Sequence, residues 1–402
     1  MKKSISKIFG LAILSLTMIT TSCSSDDSGD TPGNDDDNPG GGSSFVVNRE
    51  DLKGDINDGN VVLESGTYKL TGKLVVKAGA TLTIKPGVKV EATALVAGQF
   101  EAVRYIAVSQ GAKIDVQGTS ASPVVMTAAV QSPGAWGGLV ICGKAPINKG
   151  ASATAEVSEL SYGGAVANDN SGTIKYLRIE YSGYSYNADK EFNGLSLFGV
   201  GNGTSIEYVQ VYEGSDDGFE WFGGTVNAKY LVVTNKGANV GDDLFDWTEG
   251  WNGTGENWYG IRTNAGNRGI EADNNSNNHL ATPISSPNLK NVTLIGAGSN
   301  DTSSESQALK LRVGTQGIFE NFVLKGWKTG FDIQHDESVG YVGTSLKATR
   351  VKFEDVTVKS KGTKTDATAA DVSAVFTEDN TATGAGNGTA TPTWAQGWTV
   401  GM

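Results

Sequence analysis

Cysteine, histidine and positive charge are what this chain is short of. Its 402 residues hold two cysteines, two histidines, nine prolines and four methionines, and 44 acidic against 32 basic side chains give a formal net charge of −12. Two cysteines cannot staple a chain of this length, so its stability has to come from packing. Two histidines exclude a histidine-rich metal centre, and no nucleophile motif supports a Ser-His-Asp triad. The negative balance argues against nucleic acid or an anionic lipid surface as a partner and suits cations or neutral glycans. Helical periodicity of useful length is absent beyond Ser22. Glycine is plentiful, at 54 residues, but it lacks the every-third spacing of collagen and instead supplies tight turns between short strands.

Residues 1–22 stand apart from the fold. Lys2, Lys3 and Lys7 form a basic start, and residues 8–19 make an apolar run too short to span a bilayer. Thr20-Thr21-Ser22-Cys23 resembles the lipobox of bacterial lipoproteins, with Thr20 and Ser22 where the usual pattern prefers Leu and Gly or Ala. The resemblance implies a signal peptide over 1–22 and lipidation, such as palmitate, at Cys23. Ser24-Ser25-Asp26-Asp27 is similar to the export signal that sends Bacteroidota lipoproteins to the cell surface. Residues 23–44 are Gly, Asp, Asn, Ser and Pro with almost nothing apolar, and read as a flexible tether. The expected location is therefore the outer membrane, lipid-anchored and facing the cell exterior. Cys142 sits in an apolar run, Trp136 to Ile141, and reads as a small core residue.

Two repeating patterns organise the rest. Gly218-Phe219-Glu220-Trp221, Leu244-Phe245-Asp246-Trp247 and Gly269-Ile270-Glu271-Ala272 recur at a near-constant interval, and the frame extends back to Leu195-Ser196-Leu197 and on to Leu309-Lys310-Leu311 and Phe331-Asp332-Ile333. Apolar residues flank a mostly charged third position, the alternation of a strand with one buried face. A second pattern starts at Ile174, Ile206, Ala228, Leu289, Phe319 and Phe353, and the long step from Ala228 to Leu289 leaves room for two coils. The other steps, of about 22 to 34 residues, mark a solenoid of stacked β-rich coils. The fold expected is all-β: a single-stranded right-handed parallel β-helix over 68–402, with residues 45–67 as an N-terminal cap and Trp394 and Trp398 covering the open C-terminal end.

Short alternating strands at 82–90 and 111–119, then Pro123-Val124-Val125-Met126 and Trp136-Gly137-Gly138-Leu139, resemble the opening coils of secreted β-helix proteins with a pectin-lyase-like fold. They are most similar to uncharacterised Bacteroidota surface lipoproteins of that fold. The fold hosts lyases, hydrolases, adhesins and inert scaffolds alike, so it implies no single chemistry.

In this frame Ser196, Glu220, Asp246, Glu271, Lys310 and Asp332 point outward into solvent and stack one per coil, at about 4.8 Å. Three successive carboxylates repel, and a cation, a basic side chain or a raised pKa must relieve them. Asp216, Asp217, Asp242 and Asp243 precede the row and occupy the turns into it. They either cap those turns by accepting backbone N–H bonds, hold Ca²⁺ together with Glu220 and Asp246, or act as catalytic carboxylates. The catalytic candidates are Asp242, Asp243, Asp246, Lys310 and Arg312. Paired aspartates resemble the polygalacturonase site, but its Gly-His-Gly and Asn-Thr-Asp elements are missing: His279 lies in Asn278-His279-Leu280 and His335 in Gln334-His335-Asp336. A polysaccharide lyase would need Ca²⁺ on a uronate and a base from Arg262, Arg268, Lys310 or Arg312, residues whose ordinary role is to balance the acidic face.

Trp251 and Asn252, on a glycine-rich loop beside Trp247, Trp258 and Tyr259, are expected to be the exposed aromatic and amide wall of a sugar site with Glu220, Asp246 and Glu271. Polar loops at 151–170, 273–287 and 296–306 leave one side, where a binding surface belongs. The leading functional expectation is glycan binding at the cell surface. The alternatives are a structural or accessory role beside an outer-membrane protein partner, and a polysaccharide lyase or glycoside hydrolase.

Overall fold

In the computed structural model, residues 42–95, 103–187 and 190–402 are described; the expected signal peptide, Cys23 and the tether through residue 41 lie outside the described residues. The chain winds as a right-handed parallel β-helix, each coil contributing strand segments to three faces.

The first face runs from Asn60–Leu63 and Thr81–Ile84 through Lys113–Gln117 into the opening halves of Gly172–Glu180, Ser205–Tyr212, Asn227–Asn235, Thr254–Arg262 and Asn288–Ile295. The second face is built from the closing halves of those same strands. The third stacks Ile106–Val108, Leu139–Cys142, Leu195–Phe198, Phe219–Phe222, Phe245–Thr248, Ile270–Asp273 and Gln307–Arg312. Two 18-residue strands, Gly317–Gln334 and Leu346–Thr363, bend through the corners and finish the helix.

Phe219, Trp221, Phe245, Trp247 and Trp258 are fully buried inside. Phe219 lies 5.7 Å from Phe245, and Trp221 5.0 Å from Trp258, ring over ring from one coil to the next. Burying such rings is worth about 1.5–3 kcal/mol each, and parallel in-register strands let like side chains meet.

The corner between the first and second faces takes a left-handed residue in each coil from Gly172 onward. Tyr176, Tyr208, Tyr230, Asn257, Asn291, Asn321 and Arg350 fill it, with φ of 50, 57, 58, 60, 60, 60 and 58°. That conformation is costly for a side chain other than glycine, least so for asparagine. The asparagines are held by an amide ladder, Asn321 donating to Asn291 at 2.7 Å and Asn291 to Asn257 at 3.2 Å. The tyrosines stack instead, at 4.4 and 4.3 Å.

The long step from Ala228 to Leu289 holds the extra coil expected of it, Gly255 to Gly260: glycine stands at Gly255 because the Trp258 indole fills the space that a Cβ would need. Three differences from the expected layout have physical reasons. Strand pairing begins at Leu52, not at 68, because Leu52–Ile56 and Asn60–Leu63 already complete a coil. In the last coil Ala348, not Phe353, is the partner of Phe319, and Phe353 pairs with Leu324. The C-terminal end is covered by Val372, Val375 and Phe376, with Phe376 4.9 Å from Phe353. Trp394 and Trp398 do not cap it. Residues 379–402 run back along the outside of the second face, bonding Asn321, Thr293, Tyr259 and Gln210 in turn, and Trp398 meets Tyr176 and Tyr208 edge-on at 5.6 and 6.2 Å.

Candidate functional site

The third face carries an outward column whose register is Val140, Ser196, Glu220, Asp246, Glu271, Lys310 and Asp332, one residue per coil. The turn entering each strand is built from the coil below. Asp217 accepts the backbone N–H of Asp243 at 2.8 Å, and Asp243 accepts that of Arg268 at 2.5 Å. Each of these aspartates thus caps the turn of the next coil, which leaves its other oxygen crowded beside the column.

Three sets of carboxylates converge there: Asp216, Asp217 and Asp242; Asp217, Glu220 and Asp246; and Asp243, Asp246 and Glu271, each set offering oxygens within 4.8 Å of one another. Burial, then neighbouring carboxylates, push Asp216, Asp217, Glu220 and Asp246 well above the ordinary carboxyl range. Burial also raises Asp242, and takes Asp243 to about 8 against the pull of Arg268.

Within the described part of the chain, positive charge reaches only one end of this column. Arg268 bridges Asp243 at 3.1 Å and Glu271 at 3.2 Å and also pairs with Glu305. Lys310 lies 3.5 Å from Glu271, and Arg312 bonds Glu271 at 3.0 Å and Asp273 at 2.7 Å. Among the described residues no basic side chain pairs with Asp216, Asp217, Glu220, Asp242 or Asp246. Among the described residues Glu220 has only the Asn193 amide, at 2.6 Å, and Asp246 Oδ1 is buried with no partner. Hard oxygens in excess, one of them orphaned, fit a divalent cation such as Ca²⁺. The third set is already closed by Arg268, Lys310 and Arg312.

A family described as pectate-lyase-like β-helix domain matches residues 54–399. The chain belongs to that family. No curated protein and no solved structure matches it.

Within this β-helix family member the basic candidates behave as ion-pair partners. Burial works against the charge on Arg268 and Arg312, but Asp243 and Glu271 on the first, and Asp273 and Glu271 on the second, raise both above the usual guanidinium value. Both guanidinium groups grip Glu271, Arg268 at Oε1 and Arg312 at Oε2. Arg262 is buried, bonds Asp301 at 2.8 Å and lies over Trp327.

The outward column is not the open, solvent-facing row expected. Glu220 and Asp246 are half-buried, while Glu271, Lys310 and Asp332 are buried. Insertions close over it: Ile147, Val157 and Tyr162 pack on Phe198 and Phe222 outside the face, and Tyr162 donates to Glu249 at 2.5 Å. Trp251 is not exposed either. Its indole is fully buried, stacks on Trp221 at 4.7 Å and donates to the Val226 carbonyl. Asn252 is exposed, but its amide closes the loop onto Gly250 and Ile284. An exposed aromatic, Tyr186, stands instead at a cavity of about 630 Å³ that buried Tyr105, Glu156 and Lys190 also line.

The two histidines, far apart and unpaired in the sequence, meet in the fold with ring centroids 4.9 Å apart. They stand where the third face passes Asp273 and Arg312. The signal that could have found them is positional: His335 directly follows the strand carrying Asp332, and His279 lies in the 273–287 loop of the same side.

Proposed function

We propose that the chain acts on an acidic polysaccharide with the help of bound Ca²⁺, as a lyase rather than a passive binding module. The observation that carries this reading is the pair of carboxylate sets sharing Asp217, which hold surplus negative charge with no basic partner among the described residues. Ca²⁺ between them would neutralise that charge and leave coordination positions for sugar carboxylates, which a column of like charges would otherwise repel. Asp216, Asp217, Glu220, Asp242 and Asp246 would hold it. Membership of a pectate-lyase-like family favours the enzymatic alternative over simple glycan recognition, and the absent polygalacturonase elements favour elimination over hydrolysis.

The test is titration of chelator-treated protein with Ca²⁺, followed by incubation with polygalacturonate and alginate with and without the ion, reading the unsaturated product by ultraviolet absorbance. Ca²⁺-dependent retention of polymer and growth of that absorbance are the results expected. Absence of both with every polyuronate would sink the reading. Anchoring through Cys23 at the cell surface is supported by Thr20-Thr21-Ser22-Cys23 and the acidic residues after it. Incorporation of labelled palmitate, lost in Cys23→Ser, tests it.

A further inference from the structure

The hydrogen bonds of His279 and His335 place a proton on Nδ1 of the first and leave Nδ1 of the second as an acceptor. His279 Nδ1 lies 2.8 Å from Glu337 Oε2. Against the effect of burial, that bond holds Glu337 below the usual range, so it is a carboxylate and can only accept. Nδ1 of His279 therefore donates to Glu337, which leaves Nε2 as the ring nitrogen able to exchange a proton. His335 is the reverse: its Nδ1 accepts the backbone N–H of Val313 at 3.2 Å, which puts the proton on Nε2. Burial first, then His279, keep His335 below the ordinary imidazole value, so it is neutral near pH 7. Neither Nε2 has a hydrogen-bond partner among the described residues.

The surroundings are those of a built site. Val313, between Arg312 and Gly314, has φ of 42°, and His335 itself has φ of 73°. A β-branched residue in that region is strained, and such strain persists where the surroundings enforce it. Gly314 donates to Ser338 at 2.9 Å, and a Cβ there would strike the His279 carbonyl, so the loop carrying His279 is pressed onto this turn. Asp273, Arg312 and Glu337 are the charged groups that face the pair. Arg312, its side chain 30% exposed, spends Nε and Nη2 on Asp273 and Glu271 and keeps Nη1 without a partner among the described residues.

We propose that His279 is the proton-transferring group of an elimination on uronate chains, with His335 and Arg312 as its electrostatic partners. The proposal rests on the acidic-polysaccharide reading and supplies its missing base. The uronate carboxylate lies on Arg312 and the Nε2–H of His335. His279 Nε2 takes the proton from the carbon next to that carboxylate. The electron pair released forms a carbon–carbon double bond, the adjacent carbon–oxygen bond breaks, and the imidazolium, stabilised by Glu337, returns the same proton to the leaving oxygen. One proton moves from carbon to oxygen, and no oxidant, reductant or water is consumed. At about 4.8 Å per coil, the pair stands roughly 14 Å along the face from Asp246, so a cation there would hold a different sugar unit of the same chain.

Because the chain has two histidines, ¹⁵N spectra of the full protein resolve the two rings directly. One ring protonated at Nδ1 and the other at Nε2 is expected; two rings of one tautomer overturn the proposal. In the elimination assay on polygalacturonate and alginate, His279→Gln is expected to lower kcat at least about 100-fold, the scale of general-base catalysis. Glu337→Gln should shift the pH profile with a smaller loss. His335→Asn, which tolerates the same backbone, should raise KM. Ca²⁺ titration of all three should match the parent. Elimination unchanged in His279→Gln removes this assignment while leaving the polysaccharide reading in place; absence of polymer binding and elimination in the parent removes both.

Discussion

The Asp217 carboxylate accepts the backbone N–H of Asp243 at 2.8 Å, one coil further on, and the same side chain belongs to two carboxylate sets at once. One residue thus shapes a turn and concentrates charge, and the two roles can be separated. In Asp217→Asn the amide oxygen still accepts from Asp243, but the carboxylate shared by both sets is lost. We expect the fold to persist and Ca²⁺ stoichiometry to fall, as measured by calorimetric titration. Ca²⁺ at about 100 times its Kd should stabilise the parent by about 2.7 kcal/mol, and the variant by clearly less in thermal melts.

Removal of divalent ions should make stability depend on pH in an unusual direction. Asp216, Asp217, Glu220, Asp243 and Asp246 have folded pKa values raised above their unfolded ones. The folded state therefore binds protons more tightly, and this contribution is fully present below about pH 4 and lost as pH rises through the folded values. Chelated protein should melt lower at pH 8 than at pH 5, and saturating Ca²⁺ should narrow the gap. A chelated melting temperature that rises from pH 5 to pH 8 contradicts this.

Trp251→Ala should behave as a core truncation. The indole is fully buried against Trp221 and gives its N–H to Val226. The cost is about 3–5 kcal/mol, read from denaturant midpoints. Polymer affinity measured well below the melting temperature should not change.

Asn291→Ala removes both neighbours' amide bonds at a residue with φ of 60°. Each lost hydrogen bond costs about 1 kcal/mol, and alanine also loses the local bonding that makes left-handed backbone, worth about 1–2 kcal/mol to a residue with a Cβ, tolerable for asparagine. Asn291→Gly, free of the backbone penalty, should recover part of the difference in the same unfolding experiment.

Much of this architecture is legible in the residues themselves. Phe219, Glu220 and Trp221 alternate, and their copies at 245 and 270 keep the alternation, so register follows from period two. The coil through Gly255 and Gly260 shows only as a gap because its apolar positions are empty and Trp258 fills the space from within the coil. Phe353 misleads because Phe353 and Val356 imitate the motif while pairing with Leu324 and Trp327. Burial of the acidic column is illegible for a different reason. It depends on insertions whose docking contacts, such as Tyr162 with Glu249, join residues 87 apart. Trp251 looks like loop surface because its glycine neighbours permit either direction; only the gap beside Trp221 decides which.

The first face shows what the third could have been. Its outward column reads Lys175, Glu207, Lys229, Glu256, Lys290 and Glu320, with ion pairs at 3.3 and 3.4 Å. Alternating signs satisfy that surface without help from solution, whereas the acidic column does not.

Arrays of stacked repeats ordinarily touch only their nearest neighbours and can melt inward from either extremity. Here the returning segment of residues 379–402 laces the coil of Asn321 to those of Tyr208 and Tyr176. Loosening one turn of the spiral should then disturb others far along it, tying together modules that a simple pile leaves independent.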